Sequence, residues 1–357
     1  MSYNDILSEL RAKLGDSPEE NDKLLREEGM RFAKEGNVDG VNAASELLLE
    51  NMPEGRRKEI DRLTHLDGER LDQVYDRINQ FMREHDLLSA KALAAKLYKK
   101  ITLDYPETED SKHVSLRNPF EDELCQHLFP TEKTLNRTPF DFSAYLTTYA
   151  FILLETGGTI DALPVLEKAI SYNPVDVGPR FEMAEIYKLT KNFKKLFEVT
   201  KETLKICSSP VSIARCYANI GYALTDMREY EDAAAFYALS VMFYPDPAIP
   251  LEMQHLADLK GSPLVRPSVA QAKAAAEKHD IQYGPNPEVI EIAASLGSHF
   301  LLEDNIPDAL RAMKIAYNLT LDEKIKKIIL KYEPLDPAAE AGKGSGITRT
   351  VNNDPEE

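Results

Sequence analysis

The sequence predicts an all-helical (all-α) solenoid built from stacked helix-turn-helix units. Three observations predict it. The middle of the 357-residue chain repeats with a period of 34 residues, small residues recur where paired helices must cross, and prolines fall where units close.

The clearest unit is Ser143 to Asp176, where two helical patterns break at Gly157-Gly158 and end at Asn173-Pro174. A second unit follows from Val177 to Pro210, with its break near Lys191-Asn192. After a three-residue insertion a third runs from Ala214 to Pro247. The columns correspond: Ala150, Ala184 and Gly221 are small, Leu153, Tyr187 and Leu224 are large, and Ala162, Leu196 and Ala233 begin the second helices. Two helices packed at roughly 8–10 Å require small residues at the crossing point, and large apolar ones fill the space between units. Proline beyond the second helix stops it and starts the next turn.

This pattern resembles the tetratricopeptide-repeat (TPR) family. The resemblance implies a right-handed superhelix with a concave groove that holds a protein or peptide. Weaker copies flank the clear ones. Residues 22–55 fit with Leu25, Gly29, Phe32, Gly36, Leu48 and Pro53; residues 75–108 fit with Ile78, Phe81, Ala94, Tyr98, Ile101 and Pro106, although Met82 and His85 depart from the pattern. Residues 1–108 therefore read as an N-terminal helical region with degenerate units. Downstream, residues 248–333 read as a divergent unit (Ala248 to Tyr283), a final TPR-like unit (290–323) and a capping helix carrying Ile325, Ile328 and Ile329. A cap covers the apolar end of a stack. From Pro334 to Glu357 the chain is rich in Pro, Gly and polar residues, and a disordered tail is expected.

Residues 109–142 break the period. Pro119, Pro130 and Pro139 exclude a long helix, and a proline-rich irregular connector with at most one short helix from Pro119 to His127 is expected. Its Phe120, Leu124, Leu128, Phe129, Phe140 and Phe142 are too apolar for a free linker and argue for docking against the solenoid, as a lid that covers or borders the groove; the alternative is a plain hinge. The chain from about Asn118 to Tyr244 is also similar to a group of clostridial-type bacterial cytosolic TPR proteins of unassigned function. Asn118-Pro119-Phe120-Glu121, Pro139-Phe140-Asp141-Phe142, Tyr149 to Leu153 and Asn173-Pro174-Val175 carry that likeness.

Composition removes several function classes. A net charge of −17 and a pI near 5.0 argue against nucleic-acid and membrane-surface binding, which need a basic footprint. The candidate recognition helix, Asp39 to Asn51, holds no Lys or Arg. Three scattered cysteines, Cys125, Cys207 and Cys216, form no paired motif. The N-terminus is amphipathic rather than signal-like, and no apolar run approaches the roughly 18 residues of a membrane span. These features predict a cytoplasmic location.

The search for chemistry yields no catalytic, cofactor or metal site. His113, Cys125 and His127 lack the paired spacing of a zinc site, no Gly-rich loop opens a helix, and no nucleophile motif is present. The expected activity is binding. In a TPR unit the stripe opposite the packing positions of the first helix lines the groove, which here gives Thr147, Thr148, Phe151, Glu155, Glu182, Glu185, Lys188, Arg215, Asn219, Tyr222 and Asp226 as groove candidates. The carboxylate clamp of chaperone-binding TPR domains is absent, because Thr147, Phe151 and Glu185 stand where it needs Lys and Asn. The sequence thus predicts a scaffold or adaptor for an unidentified protein or peptide. The alternative is an accessory subunit of an enzyme complex, or an enzyme with an unrecognised site.

Overall fold

The computed structural model describes residues 3–335, so almost all of the tail expected from Pro334 lies outside the described residues. Among those residues the fold is helical, with short helix-turn-helix pairs of TPR type and two small two-stranded sheets. The chain divides into two compact units, the first ending at Gln73 and the second beginning at Val74. That boundary falls inside the expected N-terminal region of residues 1–108. The helix spanning Leu87–Asp104 belongs to the second unit, where it packs on the helix spanning Phe142–Glu155.

The first unit contains α1 (Tyr3–Ala12), α2 (Pro18–Lys34), α3 (Val38–Glu50) and α4 (Glu54–Thr64). Ser17 accepts from the Glu20 N–H and Pro18 follows at the first helical position, so the start of α2 is set locally. Ile6, Leu10, Leu25, Phe32, Ala43, Ala44 and Leu47 form the core. Gly40 is forced by packing: a β-carbon there would lie 2.3 Å from Cγ of Phe32. A tight antiparallel hairpin of β1 (His65–Leu66) and β2 (Glu69–Arg70) follows α4.

In the second unit, α5 (Leu71–Arg83) and α6 (Leu87–Asp104) precede the clear pairs. These are α8 (Phe142–Glu155) with α9 (Thr159–Tyr172), α10 (Val177–Leu189) with α11 (Phe193–Leu204), and α12 (Pro210–Asp226) with α13 (Tyr230–Phe243). The turns within pairs share one device. A residue with positive φ sits at the same point of each: His85 in the first, then Gly157, Lys191 and Arg228. The left-handed conformation satisfies the carbonyls of the ending helix and turns the chain back. His85, which departs from the sequence pattern, therefore occupies a regular turn position.

The segment expected to be irregular is ordered. It contains β3 (Ser111–Val114), α7 (Pro119–Leu128) and β4 (Thr134–Arg137), and β3 pairs with β4 in parallel, Ser111 opposite Thr134. The expectation of an irregular connector fails because Pro119 and Pro130 lie between the strands and Pro139 beyond the second, which leaves both intact. Val114, Leu116, Phe120, Leu124 and Cys125 join the main core with Val175, Phe181, Leu204 and Cys216. Arg117 fixes the segment electrostatically, with Nη2 2.7 Å from Glu121 and Nη1 3.4 Å from Asp176, the N-cap of α10. The Ser115 N–H donates to the Tyr172 carbonyl at 2.8 Å. The segment is a wedge docked against the helices, as its apolar content implied.

The divergent unit holds two helices, one on each side of Gly261-Ser262-Pro263. α14 (Ile249–Lys260) packs on α12 and α13, but α15 (Val269–Lys278) turns away from it and lies on α13. Non-local charges hold it there: Lys278 Nζ is 2.7 Å from Glu229 and 2.6 Å from Asp232, and Lys201 is 2.6 Å from Asp280. The repeat resumes with α16 (Pro287–Leu302) and α17 (Ile306–Thr320), whose turn has Asp304 at positive φ. α18 (Glu323–Tyr332) then places Ile329 against Ile306, Leu310 and Met313, covering the last pair.

Candidate functional site

The first helices of successive pairs bring one hollow together. α12 supplies Arg215, Asn219 and Tyr222, which at spacings of four and three residues share one helix face. α10 adds Glu185 and Lys188. Tyr237 and Ser240 of α13, the turn from Tyr244 to Ala248, and Ile249 and Glu252 of α14 complete a cavity of about 310 Å³.

One wall is a fixed electrostatic array. Arg215 Nη2 donates to Glu185 Oε1 at 3.1 Å, and Lys188 Nζ donates to the same oxygen at 3.1 Å. The Arg215 guanidinium lies 4.3 Å above the Phe181 ring, and Lys188 lies 5.5 Å from the Tyr222 ring. Burial pushes the Glu185 pKa upward, but Lys188 and Arg215 outweigh it and hold the carboxyl below its ordinary value. Glu182 lacks such close partners, and burial raises its pKa. Asp226 and Tyr222 are raised by the same cause.

One residue that lines the hollow carries an unpaired polar atom. Asn219 is 2% exposed, and its Nδ2 has no hydrogen-bond partner. Buried donors are rarely left unpaired, and each costs about 1–3 kcal/mol. Around it the other polar atoms are satisfied: Ser240 Oγ donates to the Ala214 carbonyl at 2.8 Å, and Tyr237 OH donates to Glu252 at 3.3 Å.

The sequence candidates divide at this hollow. Glu185, Lys188, Arg215, Asn219 and Tyr222 line it; Glu182 and Asp226 lie on the same helices but outside it. The α8 candidates lie elsewhere. Thr147 Oγ1 donates to the Ser143 carbonyl at 2.7 Å, Thr148 is hydrogen-bonded to Tyr75 OH at 2.9 Å, and Phe151 and Glu155 are exposed. No residue of the Pro106–Asp141 segment lines the hollow. Tyr237, Tyr244, Asp246, Ile249 and Glu252 have no counterpart in the sequence reading. The signal for them was the start of α14 at the position of a fourth first helix, hidden by its divergent composition.

Glu229, Asp232 and His279 form a separate cluster, with three potential ligand atoms within 4.8 Å of one another. The Lys278 ammonium contacts both carboxylates, and His279 Nε2 is 2.8 Å from Asp232. The group clasps α13 to α15 by charge.

No family model and no curated protein matches the chain. Among solved structures it is similar to the crystal structure of the APC/C hetero-tetramer Cut9-Hcn1, at 12% identity and a TM-score of 0.32. The match takes in 91% of this chain and 66% of that one, so this chain spans just under two thirds of that chain's length. No helix among the described residues is long and apolar enough to cross a membrane.

Proposed function

We propose that this TPR-type chain is a protein-interaction scaffold that binds an extended peptide segment in the hollow formed by α10, α12, α13 and α14, and that it acts by binding rather than by catalysis. The observation that carries the reading is Asn219, a lining residue of the cavity whose buried Nδ2 has no hydrogen-bond partner. Turned toward the cavity, this amide donor matches a backbone carbonyl, which every peptide presents. The Glu185–Arg215–Lys188 array and the Tyr222 ring then supply polar register and an aromatic surface at the rim.

The test uses a random peptide library screened against the full chain. Peptides retained by the wild type should bind Asn219→Ala about tenfold or more weakly, the loss expected for one buried hydrogen bond of about 1.4 kcal/mol. Retained peptides whose affinity does not change would contradict the reading.

A further inference from the structure

A second hollow, of about 800 Å³, adjoins the first, and Tyr237, Asp246 and Ile249 line both. Its chemistry is different. Val241, Met242, Met253 and Leu264 line it together with four prolines, and Met242 is 64% exposed. Methionine surfaces adapt to varied apolar side chains. The hollow has two charged residues. Asp246 stands where the two hollows meet, with Oδ1 accepting the Ala248 N–H at 2.9 Å. Arg266 lines only the second hollow, and among the described residues it has no ionic or hydrogen-bond partner.

We propose that the second hollow is a C-terminal pocket: the peptide that passes Asn219 ends here, with a large apolar last residue among Met242, Met253 and Leu264 and its terminal carboxylate on Arg266. The inference rests on the peptide reading of the Asn219 hollow and adds the class of peptide. Charge placement decides the direction. The carboxylate of Asp246 faces the middle of the ligand, where backbone N–H groups need acceptors, and the unpaired guanidinium faces its end. An Arg–carboxylate contact is short and directional, and an apolar cavity with one convergent polar group suits a single side chain beside that charge.

The experiment screens the full chain against one random octapeptide library made twice, anchored by the N-terminus and ending in either a free carboxylate or an amide. Wild type should retain peptides ending in Leu, Ile, Met or Phe, and bind each at least tenfold more tightly as the acid. Arg266→Gln should remove the acid preference and leave amide binding unchanged. Met242→Glu, at an exposed position that tolerates charge, should remove the selection for an apolar last residue. Peptides that depend on Asn219 but bind equally as acid and amide would overturn the C-terminal pocket and leave the peptide reading standing. Retention of no peptide, or only of peptides insensitive to Asn219→Ala, would overturn both. Retention of oleate by a chain that retains no peptide would assign the hollow to a lipid and overturn the proposal.

Discussion

A β-carbon on Gly221 would sit 3.1 Å from three atoms of the Tyr237 ring, a contact closer than ordinary packing allows. Tyr237 is 1% exposed and forms part of the floor of both hollows, so the space that glycine leaves sets the spacing of α12 and α13 beneath the binding surface. Gly221→Leu should therefore destabilise the second unit by about 1–3 kcal/mol through overpacking. Thermal or urea unfolding checks this, and an unchanged midpoint would mean that the crossing is not tight.

Asn219 should behave in the opposite way. Its buried Nδ2 contributes no hydrogen bond within the chain, so Asn219→Ala removes an unmet desolvation cost of about 1–3 kcal/mol along with some packing. Its unfolding midpoint should stay at or above that of the wild type. Residues kept for binding at the expense of stability show this trade-off. A midpoint lower by several degrees would show that the side chain is structural.

Two rings on the first helices, one half-buried and one exposed, should differ in function. Tyr222 lines the hollow, with Phe193 6.2 Å away and the Lys188 ammonium above it, whereas Phe151 on α8 is exposed outside it. Tyr222→Ala should weaken capture of a retained peptide about tenfold, and Phe151→Ala should leave it unchanged. Equal losses, read by fluorescence anisotropy, would extend the site onto α8.

Glu185 gives a pH dependence with a definite sign. Lys188 and Arg215 hold its folded-state pKa below the unfolded value despite burial. Its contribution to stability is therefore present above the ordinary carboxylate pKa and lost as pH falls through the lowered one. A carboxyl NMR titration should place Glu185 below the ordinary glutamate value. Lys188→Met should move it upward and shift the loss of stability to higher pH; no movement would mean that the lysine does not act on this carboxylate.

Much of the central fold was legible because its determinants are local. Small residues such as Ala150, Ala184 and Gly221 repeat at fixed spacing, and the first helix of each clear pair carries its own cap, Asp141, Asp176 or Ser209. That the wedge docks was legible in its apolar side chains, but its strands were not, because their order depends on distant partners. Ser115 bonds to Tyr172, Arg117 reaches Asp176, and β3 pairs with a strand beyond an intervening helix. The return of α15 to α13 depends on ion pairs between residues nearly fifty positions apart, which no periodicity encodes. For the site, the helical stripe on α10 and α12 pointed at the hollow, but it could not show that Thr148 on α8 is taken by Tyr75. Nor could it show that the wall continues through the Tyr244–Ala248 turn into α14.

The most direct test of the account observes the Asn219 carboxamide itself. In a chain with 15N-labelled asparagine side chains, the Asn219 Nδ2–H signals, assigned by their loss in Asn219→Ala, should move downfield when a library-selected peptide binds. Their exchange with water should also slow, as expected for a donor that gains a carbonyl partner. Signals that stay in place at saturating peptide would show that the ligand lies elsewhere and contradict the binding site described here.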